Sequence, residues 1–213
     1  MATELIAWIP AVQADVAGAP RAMMLDAIRQ AAIEFCERTR AWRYELASFN
    51  TALDDDDARV AQYTLTVPTG SRVLSIRSLS YAGLPLTEKS MDWLDENEPG
   101  WRTKEGTPRN YVLRDNGIIL LDRLPPEGVA ITGTVALKPL QDGTEIGDNV
   151  YQDYREAIAA GAIYRLRMMP GKDWYEPNLA ALKLPAFEAG VALANSRDNF
   201  TTRRRNRVRV NNF

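Results

Sequence analysis

The residues with the most distinctive chemistry are arginines near the end of the sequence. Six of the residues from 197 to 213 are arginines, at positions 197, 203, 204, 205, 207 and 209, and one is an acid, Asp198. This segment carries a net charge of +5, whereas the rest of the chain carries −7. Guanidinium groups bind phosphates and carboxylates through paired hydrogen bonds. The contrast with an acidic body indicates that the end of the chain has a binding partner of its own.

Three hypotheses account for the segment from Thr201 to Val210. It is a disordered basic end that contacts nothing, or a tail that neutralises nucleic-acid phosphates, or an arm that docks on a protein. Arg207-Val208-Arg209-Val210 alternates with the period of a strand and so suits addition to a sheet edge, with Phe213 as an apolar anchor. We favour the docking arm because a purely electrostatic contact needs only charge and not β-branched residues.

Catalytic chemistry is poorly represented in the rest of the chain. There is no histidine, so the commonest general base and the commonest transition-metal ligand are missing. No phosphate-binding glycine motif, nucleophile elbow or histidine-based triad occurs. The carboxylates of Asp92, Asp95 and Glu96 are close enough in sequence for acid–base work, but they belong to a short polar helix where a surface role is more common. The sequence therefore predicts a protein that is not an enzyme and that has no cofactor.

Metal binding is also disfavoured. The run Asp54–Asp57 lacks the alternating ligands, the sixth-position glycine and the twelfth-position glutamate of a calcium loop, which favours a solvated turn. Cys36 is the only cysteine, which excludes an internal disulfide and a multi-cysteine metal site. Because it follows Phe35 in a helical pattern, we expect a buried, unreactive thiol. Most of the five tryptophans, at positions 8, 42, 93, 101 and 174, are predicted to be core or interface anchors.

Two helices are predicted at the start of the chain. Thr3 is expected to cap the first helix, which runs to Val12 and is kinked or interrupted by Pro10. Gly18-Ala19-Pro20 breaks the chain and places a proline at the first position of the second helix. Apolar residues at steps of three and four predict that second helix: Leu25, Ile28, Ala32, Phe35, Thr39 and Trp42.

The middle of the chain has the period-two pattern of strands. Alternation predicts strands in segments 43–53, 60–67, 72–81 and 129–137, with a short helix near 90–97. Two further strands, 111–115 and 118–121, flank Asn116-Gly117. This dipeptide favours a two-residue hairpin turn, whose central residues both take positive φ.

Helices return after Pro139. A helical stripe from Tyr151 to Met169 ends at Pro170-Gly171, and Pro177 opens a last helix, roughly 178–198, in which Pro185 is expected to introduce a kink. The predicted fold class is α+β: a helical bundle from both ends of the chain, an inserted antiparallel β subdomain and an extended C-terminal arm. The predicted boundaries are 1–42, 43–139, 140–198 and 199–213.

No feature of the sequence predicts contact with a membrane. No apolar run reaches the roughly 20 residues that span a bilayer. The first residues, Met1-Ala2-Thr3-Glu4, lack the basic start of a secretory signal. We therefore expect the protein to stay in the compartment where it is made.

Two blocks of the sequence carry a family resemblance. The first includes Leu5–Pro10, Ala19-Pro20 and Leu25–Trp42, with the string Phe35-Cys36-x-x-Thr39-x-x-Trp42. The second comprises residues 157–166, 170–174, 177–180 and 187–190. Both blocks resemble head-to-tail adaptor proteins of tailed bacteriophages, and they are similar to podovirus-type adaptors and to tail tubular protein A. The β-rich middle shares only a general β character with them.

The resemblance implies a structural virion protein at the head–tail junction, assembled in the host cytoplasm. It implies a ring of about twelve copies beneath the portal protein, with the tail or nozzle on the opposite face and genomic DNA passing through without sequence preference. An acidic body suits such a channel because like charge disfavours DNA binding. The C-terminal arm is then expected to dock on the portal through Arg203, Arg204, Arg205, Arg207, Val208, Arg209, Val210 and Phe213.

A nucleic-acid-binding module is the alternative function, and it accounts for the arginines alone. We also expect the free adaptor to be mostly monomeric, with its arm disordered until it docks.

Overall fold

The computed structural model describes residues 2–52 and 61–205, and for Asn116 and residues 199–205 it describes the backbone alone. Its helices and mainly antiparallel sheets confirm the predicted α+β class. The chain forms two compact units. One consists of Met1–Trp42 with Lys138–Phe213, and the other of Arg43–Leu137.

The first unit is a helical bundle with a two-stranded sheet. Strand β1 (Ala2–Glu4) pairs with β11 (Glu145–Gly147) in antiparallel register. The helices are α1 (Ile9–Asp15), α2 (Arg21–Thr39), α4 (Asp148–Arg167) and α5 (Pro177–Arg205). Their core contains Trp8, Phe35 and Phe187, none of which is more than 1% exposed.

The predicted cap at Thr3 is wrong. Thr3 lies in β1 opposite Ile146, and its hydroxyl donates to the Asp148 carboxylate at 2.8 Å. A 3₁₀ turn, Leu5–Trp8, precedes α1, and Pro10 occupies the first turn of α1, where its missing N–H costs nothing. Pro10 therefore neither kinks nor interrupts the helix. Pairing with a strand far along the chain overrode the local capping signal.

Helix α2 follows the predicted stripe, although Trp42 lies beyond its end. Pro20 is its N-cap residue and not its first helical residue. The helix ends where Arg40 adopts the left-handed conformation, with φ 53°, and donates its N–H to the Cys36 carbonyl at 2.8 Å. Nine residues of α2 are buried, which fixes this helix in the core: Met24, Ala27, Ile28, Ala31, Ala32, Ile33, Phe35, Cys36 and Thr39.

The second unit contains two sheets and a short helix. The five-stranded sheet has the order β2-β10-β5-β6, with β3 also pairing with β10. Its strands are β2 (Arg43–Glu45), β3 (Phe49–Asn50), β5 (Ser71–Tyr81), β6 (Leu84–Pro85) and β10 (Ala130–Pro139). The four-stranded sheet has the order β4-β9-β8-β7, from β4 (Gln62–Thr64), β7 (Thr87–Glu88), β8 (Asn110–Arg114) and β9 (Ile118–Leu121). Ser90 caps helix α3 (Met91–Asn97) by accepting the Trp93 N–H.

The β8–β9 hairpin forms where it was predicted, but its turn is longer. Arg114 pairs with Ile118, so three residues, Asp115–Gly117, make a 3₁₀ turn between the strands. Gly117 has φ 73°, which is typical of three-residue loops with glycine in the left-handed position. The predicted two-residue turn is wrong because Asp115 leaves the strand and joins the loop.

Helix α5 continues to Arg205, past the predicted end at Asp198. Residues 199–205, which were expected in the extended arm, are therefore helical. Arginine is a good helix former, and cations are favourable at a helix C-terminus, so the arginines extend the helix and do not end it. Within the parts of the chain described, no helix is long and apolar enough to cross a membrane.

Candidate interaction surfaces

Helices α4 and α5 of the helical unit pack closely against each other. A Cβ added at Gly190 of α5 would lie 2.2 Å from the Cβ of Ala157 on α4. A Cβ added at Gly161 would lie 2.6 Å from the ring of Phe187. Two glycines thus let the helices interlock at adjacent points. Because these contacts involve backbone and a buried ring, the spacing of the two helices is set tightly.

Charged side chains are scarce on the first five turns of α5, and the two that occur there are paired within the same unit. Between Pro177 and Ala194 the only charged residues are Lys183 and Glu188. Lys183 Nζ lies 2.8 Å from the Asp15 carboxylate. Glu188 accepts two hydrogen bonds from the Arg38 guanidinium, at 2.7 and 2.5 Å, which hold the pKa of Glu188 below its usual range. Both charges are therefore paired within the helical unit.

The side of α5 that faces away from the core is apolar and exposed. We call it the α5 outer face: Ala181, Leu182, Pro185, Ala189 and Ala192. At a turn of 100° per residue these positions form one continuous strip. Leu182 is 70% exposed, the highest value among the large apolar side chains that are described as exposed. Apolar strips of this kind in water are typical of interaction sites.

An open groove of about 800 Å³ lies between α4 and α5 beside this face. We call it the α4–α5 groove. Small or apolar residues make up half of its lining, among them Ala160 and Ile163 from α4 and Ala186 and Leu193 from α5, and the other half is polar or charged. One end is lined by exposed charges of both signs, Asp153, Arg155 and Glu156.

The predicted arm residues begin at the last turn of α5. Arg203, Arg204 and Arg205 end the helix, whereas Arg207, Val208, Arg209, Val210 and Phe213 lie outside the described residues. Upstream, the Arg197 guanidinium lies 3.5 Å from the Asp153 carboxylate and 5.6 Å from the centre of the Tyr154 ring. Eight further residues reach Arg205, a rise of about 12 Å. The first arginines of the predicted arm are therefore carried on an anchored helix.

The sequence model of the SU10 adaptor protein family matches residues 1–210, almost the whole chain. The chain belongs to the SU10 adaptor protein family. This membership confirms the resemblance to phage head-to-tail adaptors, and it extends that resemblance through the β-rich middle. The family is one of structural adaptors, which is not an enzyme class, and it makes this chain a phage virion component. Among curated protein sequences, none matches the chain.

Asp95, one of the carboxylates considered for acid–base chemistry, is bound by two neighbouring side chains in this adaptor. Asp95 accepts hydrogen bonds from Arg102 Nη1 at 2.6 Å and from Trp101 Nε1 at 2.8 Å. These bonds, the Arg102 bond first, lower the pKa of the Asp95 carboxyl. A carboxylate held in its ionised form is a poor general acid. In the described ranges, 2–52 and 61–205, no group of three His, Cys, Asp or Glu is placed to bind a metal; Asp54–Asp57 lie outside them.

Sequence reasoning missed the α5 outer face and the α4–α5 groove of the adaptor. The available signal was the scarcity of charge from Pro177 to Ala194, with two charged residues on five helical turns. Helix α5 buries Ala180, Phe187, Val191 and Ala194 on one side while staying apolar on the other. A search for a single apolar stripe finds the core-facing side only.

Proposed function

We propose that this SU10-family adaptor forms a ring of about twelve copies between the portal and the tail or nozzle of a phage virion. The observation that carries the proposal is the family match over residues 1–210. The ring lies at the head–tail junction of the virion, after assembly in the host cytoplasm. Its role is mechanical: it joins two large components and leaves a passage for genomic DNA.

Docking on the portal is assigned to the C-terminal end of the chain, from Thr201 to Phe213. Burial of Val191 and Ala194 supports this because it holds α5 against the bundle before the helix continues to Arg205. Arg203, Arg204 and Arg205, the last residues of this helix, then contribute three positive charges to the arm. Arg207-Val208-Arg209-Val210 follows, with the alternation that suits addition to a sheet edge of the portal.

The charge of the remaining chain supports a passage for DNA. Outside residues 197–213 the net charge is −7, so a wall made of this surface repels the phosphate backbone. DNA then slides without being held. The arginines of the C-terminal arm bind the portal instead of the DNA.

Co-sedimentation with the portal ring of the same virus tests this function. Three forms are compared: the intact chain, a chain stopped after Arg205, and a chain stopped after Phe200. We expect stoichiometric binding of the intact chain and loss of binding when the chain stops after Phe200. The form stopped after Arg205 distinguishes the contribution of Arg203–Arg205 to portal binding from that of residues 206–213. The matched control for charge is an intact chain in which Arg203, Arg204 and Arg205 are all changed to glutamine.

Two results overturn parts of the proposal. Portal binding that is unaffected by both truncations moves the interface to the helical body. No portal binding, together with DNA binding that falls steeply as salt rises, replaces the adaptor function with a nucleic-acid module.

A further inference from the structure

We propose that in the free adaptor the arginine-rich C-terminal arm folds back onto an acidic surface of its own helical bundle, and that this contact keeps the arginines from binding nucleic acid until the portal takes the arm over. The surface comprises the β1–β11 sheet, the loop before β11 and the start of α4. We call it the acidic end, and its carboxylates are those of Glu4, Asp142, Glu145, Asp148 and Asp153. The proposal rests on the proposed function, and it replaces the expectation that the arm is disordered before it docks.

The segment that forms most of the acidic end carries charge of one sign. Residues 140–154 include four acids and no lysine or arginine. Glu4 joins these acids because β1 pairs with β11. Arg29 of α2 donates to the Gly143 carbonyl, but its charge is already paired with Asp26. The acidic end therefore favours a cationic partner.

Two of its carboxylates lie directly opposite each other. Glu4 is the register partner of Glu145, and both residues are exposed. Like charges at directly paired positions of antiparallel strands are destabilising. Glu4, Asp142 and Glu145 form no ion pair with any side chain that the structure describes. A guanidinium beside this pair relieves the repulsion and gains charge-assisted hydrogen bonds.

Helix α5 carries the arginines toward the acidic end. It runs antiparallel to α4, since Gly190 lies against Ala157 and the Arg197 guanidinium lies 3.5 Å from the Asp153 carboxylate. The eight residues from Arg197 to the end of α5 advance about 12 Å, whereas the five from Asp153 back to the start of α4 span about 7.5 Å. Helix α5 therefore ends level with β11, the strand that leads into α4.

The remaining chain is long enough to complete the contact. Eight residues follow Arg205, and an extended chain of that length spans roughly 27 Å. The Arg197–Asp153 pair is already a contact between a basic residue of α5 and the acidic end of the same chain. Five further arginines follow it, at positions 203, 204, 205, 207 and 209, so charge and reach both point to the arm as the occupant. Arginines neutralised there are withheld from DNA phosphates.

Binding of the full-length adaptor to a short DNA duplex at low salt tests this contact. The variant changes three unpaired acids together: Glu4→Gln, Asp142→Asn and Glu145→Gln. It is expected to bind DNA at least about tenfold more tightly than the unmodified chain, because the arginines are released. The gain is expected to disappear when the variant chain is stopped after Phe200. Unchanged DNA binding by the full-length variant overturns the contact.

A matched control separates release of the arm from a change in net charge. Asp92→Asn, Glu96→Gln and Glu127→Gln remove three exposed acids of the other unit and alter the net charge equally. This control is expected to change DNA affinity by less than about twofold, since charges distant from the arm are screened. Equal tightening by the two triple variants overturns the proposal.

Cysteine cross-linking locates the arm directly. Cys36 is fully buried, so two added cysteines are the reactive ones: Ala2→Cys, at an exposed position of β1, and Asn211→Cys, in the arm. A bifunctional maleimide is expected to join them within one chain in the free adaptor and to leave them unjoined on the portal. Covalent dimers, or two labelled but unjoined cysteines in the free adaptor, overturn the contact and leave the adaptor function standing. Failure of the unmodified chain to bind the portal overturns the proposed function instead.

Discussion

Cys36 illustrates what the sequence establishes at the scale of one residue. Its position beside Phe35 in a helical stripe predicted a buried thiol, and in α2 it has no exposed surface. Burial is the main cause that raises the pKa of the thiol to about 12. The prediction succeeded because a helical stripe fixes which side of the helix faces the core. Thr3 is the opposite case, since its hydroxyl bonds to Asp148, a residue that no local pattern reveals.

We predict that Cys36 does not react with a maleimide or an aromatic disulfide in the folded protein. Only the thiolate is nucleophilic, and a thiol with a raised pKa stays protonated from pH 7 to 9. Labelling followed by mass spectrometry checks this, with the same reaction in guanidinium chloride as the positive control. Complete labelling of folded protein within minutes at pH 8 contradicts the buried position.

A second prediction concerns the Asp95 carboxylate. Its pKa is lowered in the folded protein, so its hydrogen bonds persist above that pKa and are lost as the pH falls through it. The indole N–H resonance of Trp101, the donor to Asp95, is expected to titrate with a midpoint below the usual aspartate value. Asp95→Asn removes the titration and serves as the control. A midpoint at or above the usual value shows that the Arg102 bond is absent in solution.

At the scale of elements, sequence patterns located the helices and the hairpin but not their ends. Asp115 joins the β8–β9 turn, and α5 runs on to Arg205. The residue at which a helix or strand ends depends on small differences in free energy, such as the favourable interaction of arginines with a helix C-terminus. The α4–α5 groove could not be predicted from the sequence. The packing roles of Gly161 and Gly190 depend on which residue of the other helix lies opposite each glycine.

We predict that Gly190→Ala destabilises the adaptor. Alanine is the better helix former by about 0.5–1 kcal/mol, but its Cβ meets the Cβ of Ala157, and overpacking costs about 1–3 kcal/mol, so the steric effect wins. Denaturant unfolding measures the change in the free energy of unfolding. In the background of Ala157→Gly, which removes the opposing methyl group, Gly190→Ala is expected to be neutral or stabilising. An equal loss in both backgrounds contradicts the close approach.

At the scale of the whole molecule, the family was recognisable from the two helical blocks, whereas the surfaces through which the adaptor would assemble were not. Family resemblance resides in core residues such as Phe35 and Trp42, which are constrained by packing within one chain. The exposure of Leu182, by contrast, becomes visible only when α5 has packed its other side. The arm assignment for Arg207 to Phe213 remains a prediction from the sequence.

The mass of the complex between the adaptor and its own portal ring tests the central claim most directly. Native mass spectrometry of portal mixed with excess adaptor is expected to show one discrete particle. Its mass should equal that of the portal ring plus about twelve chains of 23.8 kDa. A portal ring of unchanged mass at adaptor concentrations well above those of assembly contradicts the adaptor function.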